Sequence, residues 1–170
     1  MAITLYEITV PVFIKNLKTL SKCLEKGVAF TKDDGAKISE AGLAESRLIE
    51  DMGNLVYQIQ RVSDTAKGLA QRIGGVEPVV LEDNEKTFPD LFTRIQKTIE
   101  VLEGVKPEHI NAQEEAEVVM KTRSGETKWK GKDYALTFAI PNFFFHVVTA
   151  YALLRKEGVP VGKADYLGRN

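Results

Sequence analysis

Between Tyr134 and Leu154 the chain runs for 21 residues without an aspartate, glutamate, lysine or arginine. That stretch must be removed from water, either inside the protein or in a bilayer, because an isolated apolar helix of this length gains nothing from solvent. Three features favour the interior of a protein. Pro141, Asn142 and His146 sit near its centre, where polar groups are costly in lipid. It is the one such segment in the sequence, and both flanks mix acids with bases, leaving no one-sided basic anchor. We therefore expect a buried helix, running from about Lys132–Asp133 to Gly158, and no membrane association.

Three more helices follow from apolar periodicity. Val10, Phe13, Ile14, Leu17, Leu20, Cys23, Leu24 and Val28 recur at three- and four-residue steps, which predicts a helix over 10–30 with Pro11 in its first turn. Met52, Leu55, Val56, Ile59, Val62, Ala66, Leu69, Ala70 and Ile73 predict a second over 51–73, closed by Gly74-Gly75. Thr87 with Asp90 makes an N-cap for a third, which buries Leu91, Ile95, Ile99 and Leu102 and ends before Gly104. The alternating runs 117–121 and 126–130, parted by Ser124-Gly125, read as a β-hairpin. Segments 38–48 and 76–86 read as linkers. The expected fold is all-α, an up-and-down four-helix bundle with a small β-hairpin before the last helix, in one domain over 1–170.

Successive helical residues point about 100° apart, so Phe143, Phe144 and Phe145 cover most of the last helix's circumference. Either that helix is central, or one ring is capped by the hairpin, or its outer side packs on another chain; the reading favoured is a homodimer. Asn142, His146 and Thr149 lie at i, i+4 and i+7, a polar line on one face. Gln58 of the second helix can meet it, with Asn54 one turn away. Pro141 removes the amide that would bond the Thr137 carbonyl, which predicts a kink. The polar set is either a structural hydrogen-bond network or a pocket for a small polar ligand.

Composition narrows the function classes. A formal net charge of -1 with dispersed basic residues gives no field for nucleic acid, so none is expected as a partner. One cysteine, Cys23, excludes an intrachain disulfide and suits a reducing compartment; the expected location is the cytoplasm. It sits on an apolar stripe and reads as a small hydrophobe. His109 reads as solvated, Trp129 as a packing residue, and 163–168 as an ordered tail. The N-terminus carries an acid early and is not expected to be a signal peptide. Phosphate loops, nucleophile elbows and paired cysteines are absent.

Pro141-Asn142-Phe143-Phe144-Phe145-His146-Val147-Val148-Thr149-Ala150-Tyr151, Leu154-Arg155 and Gly158 to Lys163, with Asp51-Met52, Gln58 and Ala66-Lys67-Gly68, resemble the DinB/YfiT-like superfamily of four-helix bundles, in a branch of unknown function. The resemblance covers nearly the whole chain. It implies a metal position built from one histidine of the second helix and an H-x-x-x-H pair of the fourth. Counted back from Leu154-Arg155, the pair falls on Asn142 and His146, and the second-helix position falls near Gln58. Only His146 keeps the ligand type, and it is the sole candidate metal ligand. Two neutral amides and one imidazole suit neither Zn²⁺ nor Ni²⁺ well, so no cofactor is expected. The candidate site is Gln58, Asn142, His146 and Thr149. The competing reading is a metal- or thiol-dependent transferase or isomerase like others of that superfamily.

Overall fold

The computed structural model describes residues 2–122 and 125–169. The chain is mostly helical. Helices α1 (Val10–Phe30), α2 (Glu40–Glu45), α3 (Leu55–Arg72), α4 (Phe88–Glu103) and α5 (Pro107–Asn111) precede strands β1 (Glu117–Thr122) and β2 (Gly125–Lys130). A continuous helix, α6 (Gly131–Lys156), and a short α7 (Lys163–Tyr166) complete it. The periodic segments became helices as expected. The segment 38–48 is not a bare linker: it holds α2, because the Ser39 hydroxyl accepts the Gly42 amide as an N-cap. Helix α3 starts at Leu55 and not at Asp51. Its start is set by Asn54, whose side-chain oxygen accepts the Tyr57 amide at 2.9 Å, which leaves Met52 in the preceding turn.

Helix α1 packs on α4 and α6, and α3 packs on the same two. The Phe13 ring of α1 stacks on Phe143 of α6 with centroids 4.0 Å apart and planes 5° from parallel. Both rings are fully buried, each contributing about 1.5–3 kcal/mol by leaving water. Asn142 meets Thr65 while His146 meets Gln58, so α3 and α6 run antiparallel. Helix α3 is buried nearly all round, polar positions included: Gln58, Gln60, Ser63, Thr65 and Lys67 are all buried. The innermost helix is thus α3, although its sequence is the more polar.

Strands β1 and β2 pair antiparallel with Glu117 opposite Lys130 and Val118 opposite Trp129. Ser124, which was expected in the turn, lies outside the described residues. Trp129 packs against Tyr134 and Phe138 of α6, so the hairpin covers the start of that helix and not the phenylalanine triplet. At the junction, a Cβ on Gly131 would stand 2.0 Å from the Gln113 carbonyl oxygen, so only glycine lets α6 begin there. Gly75, at φ +71°, ends the turn after α3. The tail folds back through Lys26–Asp165 at 2.5 Å and a Tyr151–Tyr166 ring contact.

The Thr87 hydroxyl accepts the Asp90 amide while the Asp90 carboxylate accepts the Thr87 amide, a reciprocal cap on α4. Thr87→Ala is expected to cost about 1 kcal/mol in urea unfolding, since it orphans the first-turn donors. Unchanged stability would mean the cap is dispensable.

Candidate functional site

The polar line is built on a helix whose ladder is broken just before it. Residues Tyr134–Ala139 form a π-helical turn, with the Ile140 amide bonded to the Ala135 carbonyl five residues back. The cause is Pro141, which has no N–H for the carbonyl four residues earlier; the ladder shifts by one residue instead of kinking open. Helix α6 then presents Asn142 and His146 to α3.

His146 Nδ1 lies 2.7 Å from Gln58 Oε1. Gln58 donates its amide nitrogen to the Gly53 carbonyl at 2.8 Å, which orients its oxygen toward the imidazole. The bond therefore runs from Nδ1–H to Oε1, and Nε2 holds the lone pair. The imidazole is 8% exposed. Burial, with the nearby Arg61 cation second, pushes its pKa down to about 4, so the ring is neutral at physiological pH. Tyr57 and Phe145 meet it edge-on at 6.2 and 5.1 Å, and Arg61 lies over the Tyr57 ring at 5.1 Å.

The other two candidates do not join this pair. Asn142 donates its amide nitrogen to Thr65 Oγ1 at 2.7 Å, and Thr65 donates onward to the Arg61 carbonyl. Thr65 lies seven residues beyond Gln58, about 10 Å along the helix axis. Thr149 is buried and turns its hydroxyl to the Phe145 carbonyl of its own helix, at 2.7 Å. Asn54 serves as the α3 cap and bonds Glu45. Two of the surface cavities, about 310 Å³ beside Arg94 and about 400 Å³ beside Lys22 and Asp165, are lined by none of the four candidates.

These donors do not fit the metal that the superfamily implies. The Gln58 oxygen is engaged by Nδ1–H, the Asn142 amide belongs to another stretch of α3, and His146 Nε2 is the one imidazole nitrogen available. Among the described residues, no group of three or more His, Cys, Asp or Glu side chains could hold a metal ion. Cys23 is buried, and burial raises its thiol to about 11, far from a reactive thiolate. His109 is exposed.

A second polar cluster escaped the sequence reading. Arg94 of α4, with a side chain 1% exposed, reaches Asp64 at 2.8 Å, Asp83 at 3.0 Å and Glu85 at 2.8 Å. Arg61 joins through Asp64 and Asp83, and Gln60 through Glu85. The Lys67 ammonium meets Asp64 and the Val79 carbonyl. Together these side chains clamp the connection between α3 and α4 onto both helices. The one available signal was Arg94 interrupting the apolar spacing between Leu91 and Ile95.

Residues 5–167 match the family model described as Domain of unknown function (DUF1993), and the chain belongs to that family. Its fold is similar to the crystal structure of a DinB family member protein from Shewanella denitrificans, with a TM-score of 0.87 and 37% identity over 96% of this chain and 92% of that one. No curated protein matches the chain.

Proposed function

We propose that this member of the DUF1993 family is a DinB-like up-and-down four-helix bundle, one domain over 1–170, that works as a homodimer and binds a small ligand without a complete metal site. The observation that carries the reading is the 2.7 Å bond between His146 Nδ1 and Gln58 Oε1. It commits one of the would-be ligands to the other and leaves Nε2 as the neutral acceptor of a ring that Tyr57 and Phe145 meet edge-on. The ligand class that suits such a position is small and neutral, with one O–H or N–H donor on an apolar body. In this reading Gln58 positions the imidazole, Asn142 and Thr149 line the same helix face without joining that pair, and no step of chemistry is assigned. The cytoplasm remains the proposed location, supported by a single buried thiol; no nucleic acid or membrane partner is proposed. Helix α6 is long and apolar enough to cross a bilayer by length and composition, but its packing on α1 and α3 supports a core role.

The competing reading is a metal- or thiol-dependent transferase or isomerase, supported by the likeness of fold alone. Metal analysis of protein purified without an affinity tag separates the two. We expect substoichiometric Zn²⁺ and Ni²⁺, unchanged in His146→Ala. One equivalent of either ion, lost in that variant, would overturn the metal-free reading. For the ligand, ¹⁵N spectra of the imidazole during a phenol titration should shift Nε2 and leave Nδ1 in place. Unchanged spectra up to millimolar phenol would remove the ligand from the proposal.

A further inference from the structure

Helix α6 keeps one face out of the protein. Phe143 is buried and Phe144 half-buried, but Phe145 is 56% exposed and Val148 48%. From Pro141 onward, Pro141, Phe145, Val148 and Arg155 are exposed and Ala152 is half-buried, a stripe at steps of four, three, four and three. That spacing is the seam two packed helices share. The π-helical turn carries the same stripe back to Thr137 and Asp133, both exposed. The stripe is thus apolar through its middle, with an acid, Asp133, at one end and a base, Arg155, at the other. The two lie 22 residues apart, about 33 Å of helix, and their midpoint falls at Phe144, one residue from Phe145.

A surface of that pattern is its own complement under a two-fold axis through its centre. Antiparallel apposition of two copies sets Phe145 against the partner's Phe145 and brings each Asp133 to the partner's Arg155. Parallel apposition would instead set acid against acid and base against base. Lys156, beside the seam, is already held by Glu157 at 2.8 Å and adds no unpaired charge at that end. Tyr57 of α3, 44% exposed and grouped with Phe145 around His146, widens the apolar area beyond a single helix.

We infer that the homodimer forms through the outer face of α6, antiparallel about a two-fold axis near Phe145, with two Asp133–Arg155 ion pairs closing its ends. The inference rests on the homodimer reading above and adds the surface, the direction and the pairing. Because the exposed Phe145 and Tyr57 rings flank the buried imidazole, the partner copy covers the aromatic side of the His146 site.

Sedimentation equilibrium of the full chain tests it. The native protein should be dimeric at micromolar concentration, and Val148→Asp should be monomeric with native helical circular dichroism. Asp133→Arg and Arg155→Glu should each weaken association about tenfold or more. The double variant Asp133→Arg/Arg155→Glu, which restores opposite charges across an antiparallel seam, should return to within about threefold of native. A double variant weaker than either single one would overturn the antiparallel pairing. A native dimer that Val148→Asp leaves intact would place the interface elsewhere and sink the inference while the homodimer reading stood. A native monomer would sink both, and one that floats with phosphatidylcholine vesicles would assign the face to a bilayer. The phenol titration, run on the monomeric Val148→Asp variant, reads the His146 site independently of these results.

Discussion

Replacing Arg94 by methionine should destabilise the protein by about 3–5 kcal/mol, the largest effect expected of any single polar side chain here. The guanidinium is buried and is the common partner of Asp64, Asp83 and Glu85, and it also donates to the Glu82 carbonyl at 3.1 Å. Its removal leaves the nearly buried Glu85 without a cation and Asp64 and Asp83 with only Arg61 and Lys67 between them, and it is that undercompensated charge, more than the lost attraction, that sets the cost. Urea unfolding at fixed protein concentration measures it. Arg94→Lys should fall between, because one ammonium cannot replace a planar fork that reaches three carboxylates. The damage should be local first: amide hydrogen exchange should rise over residues 79–85, which the network holds to α3 and α4. Adding Asp83→Asn and Glu85→Gln to Arg94→Met should recover part of the loss. A cost under about 1 kcal/mol, or no recovery on neutralising the acids, would show that packing and not charge holds this connection.

The second large effect is a pH dependence located at His146. Unfolded, the imidazole titrates near its ordinary value of 6.5; folded, burial and Arg61 hold it at about 4. Between those values the unfolded chain takes up a proton that the folded chain refuses. Stability from this group is therefore complete above pH 6.5, falls as the pH drops toward 4, and changes no further below that. The ceiling on the effect is about 3 kcal/mol. Between pH 7 and pH 4.5 the native protein should lose about 2 kcal/mol more than His146→Gln does. The comparison of slopes removes the background of carboxylates common to both proteins, and holding concentration fixed removes any contribution from association. Parallel curves for the two proteins would mean that the imidazole titrates normally in the fold. The ¹⁵N spectrum offers a direct check, with Nδ1 protonated and Nε2 bare down to about pH 4.5.

These two residues differ in how visible they were. His146 was legible because a polar line on an otherwise uncharged helix is anomalous in the sequence itself, and because Gln58 lay at a helical position able to meet it. The partner was read correctly; the membership of the group was not. Asn142 and Thr149 share a face with His146, yet α3 offers Thr65 and not Gln58 opposite Asn142, and Thr149 satisfies itself on its own backbone. A helical wheel reports which side a residue faces. It does not report what stands across from it at each level. Arg94 was nearly invisible, because its partners lie in a connection with no periodicity of its own, and only the folded path of residues 76–87 brings Asp83 and Glu85 over the guanidinium.

The phenylalanine triplet shows the same division. Its angular spread required that some ring face away from any one core, and the structure assigns that position to Phe145 while Phe143 stacks on Phe13. The effect of Pro141 was likewise foreseeable in kind. A missing amide must disturb the ladder, but whether the helix bends or inserts a π-helical turn depends on what packs against it, and here Tyr134 is fully buried with its hydroxyl bonded to Arg72.

What the sequence by itself determined was local and periodic: four long helices, their caps at Thr87 and Gly75, the hairpin, and an imidazole that had to be buried. Those follow from backbone hydrogen bonding and the spacing of apolar side chains, which act over a few residues. The tertiary structure alone decided which helix is innermost, which tautomer His146 holds, which carboxylates share Arg94, and which face of α6 is left without a partner. Each of those depends on a neighbour dozens of residues away in the chain, and the energy of a buried polar group is set by that neighbour and not by the residue's own type.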